Sequence, residues 1–386
     1  MDLKIFFSGI DENVYSNASE LDTFYSSIRI NSEKMPDFQG VDIAIIGITE
    51  HRGSINNQGI ERGADEIRKK LYQLKKGSGT YKIIDLGNLN NGRTLDDTYM
   101  RLREVCEMLI ENNVLPLIIG GSHDMNYGQF RAYEEMKKLI SFLNVDAMLD
   151  MNDDKKQAEN RKHIHKILIH EPNYLFNYSH LGHQSYLINQ DHIGVLEKLY
   201  FEAYRLGHLR EHMTEMEPVI RDADMLSFDI TAIKSSDAPG NVNAQAFGLT
   251  GEEACQLCWY AGLNEKLSSA GFYEYNPDYD DDKLKTASVV ATMIWYFTEG
   301  FYHRKNELNF KTNDYLKYVV SMPTEPEVIT FYKSKLSEKW WLEVPYPGDQ
   351  KKYERNCIVP CNYSDYETAS NGQLPERWIN TYSKLI

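Results

Sequence analysis

The chain has 386 residues, of which 42% are hydrophobic, and this is enough to bury the core of one large domain. Its formal net charge of −15 argues against nucleic acid and anionic membrane surfaces as partners. No apolar run approaches the roughly 20 residues of a membrane-spanning helix, and the first residues lack the basic start of a signal peptide. We therefore expect a soluble cytoplasmic protein.

Short apolar runs alternate with longer amphipathic stretches through most of the chain. The predicted elements are strand 41–48, helix 60–74, strand 81–87, helix 94–113, strand 115–119, helix 126–140, strand 141–147, strand 174–182, helix 195–205, strand 222–230, helix 251–261, strand 271–275 and helix 283–300. Such alternation implies parallel strands joined by right-handed crossovers. We predict a three-layer α/β/α sandwich around a mainly parallel sheet of about eight strands.

The two ends of the chain differ from this central region. Residues 1–40 show no strong period and are predicted to form an N-terminal extension, followed by an α/β domain at 41–304. Residues 305–386 are predicted to be a C-terminal extension packed on the domain or on a second subunit, which leaves homo-oligomerisation open.

Aromatic residues are too frequent in the C-terminal extension for a disordered segment. The extension contains Trp340-Trp341, Tyr346-Pro347-Gly348 and Trp378. We expect ordered elements there, namely a strand at 315–320, a helix at 327–337 and a strand at 339–344.

Three predicted strands end in residues that bind metal ions. His123 follows strand 115–119, Asp146 and Asp150 end or follow the next strand, and Asp229 lies at the end of strand 222–230. Ligands of open α/β sheets bind at the carboxyl ends of the strands. One imidazole and three carboxylates suit a hard or borderline divalent ion such as Mn²⁺.

These stretches resemble the ureohydrolase family, which includes arginase, agmatinase and formimidoylglutamase. The family motifs Gly-Gly-Asp-His-Ser, Asp-Ala-His-x-Asp and Ser-x-Asp-x-Asp-x-x-Asp-Pro-x-x-Ala-Pro-Gly correspond to Gly120–Asp124, Asp146–Asp150 and Ser227–Gly240. Gly248–Glu253 and Glu274–Pro277 extend the resemblance, which covers residues 40 to 300. It implies an arginase-like fold and hydrolysis of a C–N bond in a small guanidino or amidine-type molecule.

The resemblance also implies a ligand set for two Mn²⁺ ions, of which this chain keeps only part. Four of the six family ligands are retained, as His123, Asp146, Asp150 and Asp229. Met148 replaces a His and Thr231 replaces an Asp, and both replaced ligands serve the same ion. We therefore expect at most one Mn²⁺ or other divalent ion, weakly bound, and no two-metal cluster. Met148→His combined with Thr231→Asp is expected to raise metal uptake toward two ions.

Further roles follow from the resemblance alone. Glu253 is assigned to hold the cationic group of the substrate, and Asn152 matches an Asn that some arginases use toward the substrate carboxylate. Asp150, or a His linked to it through water, is the candidate catalytic base. His163 and His165 lie at about the spacing of the family's proton-shuttle His, but their polar surroundings predict solvated surface residues.

Two functions of different class remain open. One is a divergent arginase-, agmatinase- or formimidoylglutamase-like enzyme that hydrolyses its substrate with water activated by one metal ion. The other is a catalytically silent protein of this fold, used in small-molecule binding or assembly. A further idea is that Lys234 supplies positive charge where a metal is absent, since three convergent carboxylates repel one another.

Overall fold

The structure is a computed structural model that describes residues 3–18, 21–54, 56–136, 138–346 and 357–385. Pro347 and Gly348 of the aromatic-rich tail lie outside the described residues. The strands are β1 (Phe7–Ser8), β2 (Arg29–Ile30), β3 (Ile43–Ile48), β4 (Ile83–Leu89), β5 (Leu115–Gly120), β6 (Ile140–Val145), β7 (Leu175–His183), β8 (Glu202–Arg205), β9 (Met225–Asp229), β10 (Ser269–Tyr273), β11 (Tyr315–Ser321), β12 (Val328–Ser334), β13 (Trp340–Glu343) and β14 (Ile358–Cys361).

Helices follow most of the central strands. They are α1 (Glu12–Tyr15), α2 (Gly63–Leu71), α3 (Leu95–Glu111), α4 (Met125–Arg131), α5 (His163–Leu168), α6 (Gln190–Lys198), α7 (Leu206–Glu211), α8 (Glu217–Arg221), α9 (Gly251–Leu263), α10 (Lys285–Tyr302), α11 (Tyr363–Ser370) and α12 (Glu376–Leu385). None of the helices within the described ranges is long and apolar enough to cross a membrane.

Ten strands form the main sheet, in the order β1-β4-β3-β5-β10-β9-β6-β7-β8, with β2 also paired to β4. All of its pairs are parallel except β1 with β4. Strands β1 and β2 have two residues each and come from the N-terminal residues 1–40, and the other eight are longer. The prediction of a mainly parallel sheet of about eight strands is confirmed.

Side chains of the strands alternate between two buried layers. Ile43 and Ile45 pack in a core that also contains residues of α2, α9 and α10, whereas Ala44 and Ile46 pack in a core with residues of α3. Period-two alternation of this kind buries both faces of the sheet. The three-layer α/β/α architecture is therefore confirmed.

The C-terminal residues form a second sheet, antiparallel, in the order β11-β12-β13-β14. Phe331, Trp340 and Leu342 of this sheet share a buried cluster with Phe142 and Tyr178 of the main sheet. The extension is thus packed on the rest of the chain through a continuous apolar contact. The domain boundaries at residues 40 and 304 stay a prediction.

Three predicted helices differ from the observed elements. The predicted helix 327–337 is strand β12, in which buried Ile329 and Phe331 alternate with less buried neighbours. The predicted helix 195–205 ends with α6 at Lys198, because Tyr200 adopts a left-handed φ of 58° before β8 begins. The predicted helix 126–140 is shorter, since α4 ends at Arg131.

Candidate metal centre

The four adjacent strands β5, β10, β9 and β6 deliver polar residues to one place at the carboxyl edge of the sheet. His123 follows β5, Asp146 follows β6, Asp229 is the last residue of β9, and Glu274 follows β10. All four side chains are buried. The sheet order, rather than sequence proximity, brings these residues together.

A Gly-Gly turn after β5 sets the direction of His123. Gly120 and Gly121 have φ values of 83° and 75°, in the left-handed region that favours glycine. A Cβ atom on Gly121 would lie 2.3 Å from Ile48 Cγ2, so a larger residue does not fit there. The turn therefore lets the chain fold tightly against β3 and direct His123 toward the centre of the edge.

Three carboxylate oxygens surround one nitrogen of His123. Its Nδ1 atom lies 3.2 Å from Asp229 Oδ2, 3.4 Å from Asp146 Oδ2 and 3.8 Å from Asp150 Oδ2. Neighbouring ligand atoms around an ion with bonds of about 2.1–2.3 Å are separated by about 3 Å. The structure thus brings the four predicted ligands together around His123 Nδ1, and its distances to Asp229 and Asp146 are close to this spacing.

The other carboxylate oxygens are held by the protein. Asp146 Oδ1 accepts hydrogen bonds from the Met148 backbone N–H (3.0 Å) and from Thr231 Oγ1 (3.3 Å). Asp229 Oδ1 accepts a hydrogen bond from the Thr231 backbone N–H at 2.7 Å. Each carboxylate is therefore fixed by one oxygen while its other oxygen faces His123. Thr231, at a replaced ligand position, donates hydrogen bonds to two of the retained ligands, Asp146 and Asp229.

The ring of His123 is fixed from its other side. Its Nε2 atom lies within hydrogen-bond distance of Ser227 Oγ, at 2.8 Å, and Asn126 Nδ2 donates to the same oxygen. Among the described residues, His123 Nδ1 and Asp146 Oδ2 are buried without any hydrogen-bond partner. Buried polar atoms are rarely left unpaired, so these two fit the role of metal ligands. The donor set also suits Mn²⁺.

His163 lies in the centre rather than on the surface, so the prediction for this residue was wrong. It is fully buried at the start of α5, with Nε2 3.3 Å from Asp150 Oδ2 and its ring 4.3 Å from the ring of His123. Ligand atoms of His123, Asp146, Asp150 and His163 all lie within 4.8 Å of one another. His163 is therefore a further candidate ligand or proton-transfer group. His165 is only half-buried and, within the described residues, makes no hydrogen bond or ion pair with this cluster.

Burial and neighbouring charges alter the pKa values in the centre. Burial, with the negative charges of Asp229 and Asp150, raises the pKa of Asp146. Burial acts in the same direction on Asp150, but the Arg161 charge and the His163 hydrogen bond outweigh it and lower the pKa of Asp150. Burial and the His123 charge lower the pKa of His163 to about 4. Repulsion among the carboxylates is what a bound cation would relieve.

Glu274 is a buried carboxylate that the sequence reasoning named only as part of a motif. Its Oε1 accepts hydrogen bonds from the His123 backbone N–H (2.9 Å) and Asn160 Nδ2 (3.0 Å). Its Oε2 accepts from Asn57 Nδ2 (2.9 Å) and Ser54 Oγ (3.1 Å). Glu274 thus joins three loops around the centre. Its position directly after a buried strand was the available signal.

The side chains of Glu253 and Asn152 accept hydrogen bonds from nearby backbone N–H groups. Glu253 forms a capping box with Thr250 at the start of α9 and an ion pair with Arg210 at 2.8 Å. The Asn152 side chain accepts a hydrogen bond from the Asp154 backbone N–H at 2.9 Å. Neither side chain has a bond to the His123 cluster within the part of the chain that is described. Their roles in substrate binding stay predictions.

Lys234 does not compensate the carboxylates. Its ammonium pairs with Asp237 at 3.5 Å, and among the described residues it makes no ion pair with the three aspartates of the centre. The idea that Lys234 substitutes for a metal ion is therefore wrong. The positive charge beside the aspartates belongs instead to Arg161, whose Nη1 lies 3.3 Å from Asp150 Oδ1.

The mainly parallel sheet, with a His and three Asp residues at its carboxyl edge, places this chain among the open-sheet α/β proteins, whose ligand sites lie at that edge. The profile of the arginase family matches residues 41–299. The chain therefore belongs to the arginase family.

Curated and solved relatives agree with this assignment. A formimidoylglutamase from Streptococcus gordonii is 24% identical over 321 residues, covering 78% of this chain and 96% of that protein. A Trypanosoma cruzi formiminoglutamase solved with Mn²⁺ superposes with a TM-score of 0.64 and 22% identity, covering 69% of this chain and 95% of that one. The Bacillus subtilis formimidoylglutamase gives 0.65 and 19%, covering 74% and 94%. The chain is thus a formimidoylglutamase-like member of the family.

Proposed function

We propose that this chain is a hydrolase that cleaves a C–N bond of a small formimidoyl or guanidino compound with one divalent ion. The ion would be held by His123, Asp146, Asp150 and Asp229. The main support is the convergence of three Asp Oδ2 atoms on His123 Nδ1 within 3.8 Å. Similarity to formimidoylglutamases over most of the chain favours a formimidoyl substrate among these compounds.

The divalent ion, when bound, lowers the pKa of a coordinated water and so supplies a nucleophile at neutral pH. The protein's own residues have more limited tasks. Ser227 orients the His123 ring, and Thr231 holds Asp146 and Asp229 in place. His163, at 3.3 Å from Asp150, is placed to take a proton from the attacking water and to give one to the leaving nitrogen.

Under this proposal Asp150 has a different role from the one predicted, whereas Asn152 and Glu253 keep theirs. Asp150 acts as a ligand and as the anchor of His163, because its oxygens face His123, His163 and Arg161. The task of the base then passes from Asp150 to His163. Asn152 and Glu253 remain candidates for substrate binding, Asn152 because it lies two residues beyond Asp150.

A second function retains the pocket without catalysis. The contacts around the two replaced ligand positions favour it, because Met148 and Thr231 now contact neighbouring side chains within the centre. In that case the protein binds a small molecule or serves in an assembly. The two functions differ only in whether the site catalyses a reaction.

The test is metal content together with turnover. We expect one equivalent of Mn²⁺ after dialysis, and release of formamide from N-formimidoylglutamate exceeding any hydrolysis of agmatine or arginine. Asp146→Asn should abolish both, whereas Asp237→Asn, which removes a carboxylate paired with Lys234 outside the centre, should change neither. One bound Mn²⁺ without turnover of any of the three compounds would support the second function. Two equivalents with turnover of arginine would contradict the single-ion proposal.

A further inference from the structure

Arg161 places a guanidinium beside the aspartate cluster. Its Nη1 atom lies 3.3 Å from Asp150 Oδ1 and 2.7 Å from Met148 Sδ. Among the described residues, no other Lys or Arg forms an ion pair with Asp146, Asp150 or Asp229. The guanidinium thus lies at one of the two positions where a metal-binding residue is replaced.

The chain segment before α5 holds Arg161 in this position from both sides. The preceding residue, Asn160, donates through Nδ2 to Ser54 Oγ and Glu274 Oε1, both at 3.0 Å. The Arg161 carbonyl accepts a hydrogen bond from the Asn152 backbone N–H at 3.0 Å. Two residues later, His163 contacts Asp150. The backbone around Arg161 is therefore fixed by buried contacts, and its side chain is only 24% exposed.

Arg161 keeps its positive charge in these surroundings. A guanidinium stays protonated at any pH at which a protein is folded. Guanidinium groups also lose less on leaving water than ammonium groups, which suits a partly buried site. Arg161 is thus a permanent cation beside the aspartates.

The position of this cation bears on metal binding. The guanidinium contacts both Met148 and Asp150, so it fills the Met148 side of the centre. A second divalent ion bound on that side would lie next to the guanidinium. Like charges repel strongly where water is largely excluded, so a second ion is disfavoured there.

We propose that the Arg161 guanidinium is a resident cation of the centre, occupying the side of Asp150 next to Met148 and restricting the centre to a single divalent ion. This inference rests on the proposed metal site at His123, Asp146, Asp150 and Asp229. It changes one expectation from the sequence. Met148→His with Thr231→Asp restores two ligand types but leaves the guanidinium in place, so this pair alone should not admit a second ion.

The experiment compares two variants that share these ligand substitutions. One carries Met148→His and Thr231→Asp, and the other carries Arg161→Met in addition. Bound Mn²⁺ is measured after equilibrium dialysis, and electron paramagnetic resonance distinguishes isolated ions from spin-coupled pairs. We expect one equivalent of isolated Mn²⁺ in the first variant, and two equivalents with a coupled signal in the second.

Controls separate the guanidinium from a general loss of positive charge. Arg131→Met in the same two-substitution background removes an arginine of similar exposure that pairs with Glu134, and it should leave the stoichiometry at one. If the Arg161→Met protein does not fold, Arg161→Gln removes the charge while retaining an amide that can donate to Asp150. Circular dichroism verifies folding of each variant.

If the two variants, with and without Arg161, bind the same number of Mn²⁺ ions per chain, the proposal is overturned, whatever that number is. A higher stoichiometry in the Arg131→Met control would also overturn it, because loss of any cation would then suffice. The proposed metal site is tested separately, because it would be wrong if the unmodified protein bound no Mn²⁺. Even then, a gain of Mn²⁺ on removing Arg161 in the two-substitution background supports the resident cation, and the absence of a gain refutes it.

Discussion

Replacement of Glu274 by Gln tests whether this carboxylate organises the loops around the centre. The residue is 1% exposed, and its carboxylate accepts four hydrogen bonds of 2.9–3.1 Å, two on each oxygen, and a longer one of 3.5 Å from Asn241 Nδ2 to Oε2. In Gln one of the two oxygens becomes an NH₂ group, which cannot accept. At least one buried donor then faces this NH₂ group instead of an acceptor oxygen.

The four closest donors determine which oxygen of Glu274 is replaced by NH₂ in Glu274→Gln. This in turn sets the loss of stability. The His123 backbone N–H on the Oε1 side cannot reverse, whereas the Ser54 hydroxyl on the Oε2 side can rotate and accept. The amide group therefore takes the Oε2 side, where Asn57 Nδ2 loses its bond to the carboxylate. An unsatisfied buried donor costs about 1–3 kcal/mol, and the remaining bonds lose their ionic character. We expect a loss of about 2 kcal/mol in the free energy of unfolding.

Thermal or urea unfolding of the metal-free protein measures this loss. Glu274→Ala should lose roughly twice as much, about 4 kcal/mol, because it removes both acceptor oxygens and all the hydrogen bonds that they accept. Glu253→Gln is the matched control: that half-buried residue caps α9 and pairs with Arg210, so its loss should be about 1 kcal/mol. A Glu274→Gln protein as stable as the unmodified one would refute the reasoning, since four buried bonds would then contribute nothing measurable.

Three further changes have distinct expected outcomes. Asp229→Asn should weaken Mn²⁺ binding by at least about 100-fold in calorimetric titration, because it removes a charged ligand 3.2 Å from His123 Nδ1; unchanged affinity would remove this residue from the ligand set. Arg68→Met should lower the free energy of unfolding by about 3–5 kcal/mol, since both side chains of the Arg68–Asp85 pair are fully buried and Asp85 would lose its partner; a neutral result in urea unfolding would contradict this. Trp340→Ala should lower it by about 3 kcal/mol through loss of packing between the two sheets, and faster proteolysis of the C-terminal residues is its independent sign.

Residues at strand ends were predictable, and residues on irregular segments were not. His123, Asp146 and Asp229 end or follow buried strands, so parallel strands place them at one edge of the sheet. The strand order β5-β10-β9-β6 then brings them close together. His163 and Arg161 belong to a polar segment whose path over the sheet depends on contacts with residues far away in sequence. The Asn160 backbone N–H, for example, donates to the Gly53 carbonyl at 3.1 Å. No local period encodes such a contact, and polar composition wrongly predicted an exposed His163.

The source of positive charge beside the three aspartates could not be predicted from the sequence for the same reason. Three converging carboxylates require positive charge, and the sequence alone predicts this requirement. Which residue supplies it depends on reach: Lys234 follows β9 closely in sequence, yet it pairs with Asp237 in its own loop. Arg161 lies eleven residues beyond Asp150 and returns to it because Asn160 and His163 fix the intervening loop on the sheet edge.

The chemistry at Met148 is consistent with this choice of cation. A thioether is a poor ligand for Mn²⁺, but its polarizable sulfur accepts a weak hydrogen bond from the guanidinium. Replacing the family's His by Met therefore removes a metal ligand and at the same time provides a contact for Arg161. The ligand loss and the resident guanidinium are then parts of one arrangement, in which charge within the protein takes the place of charge from a second ion.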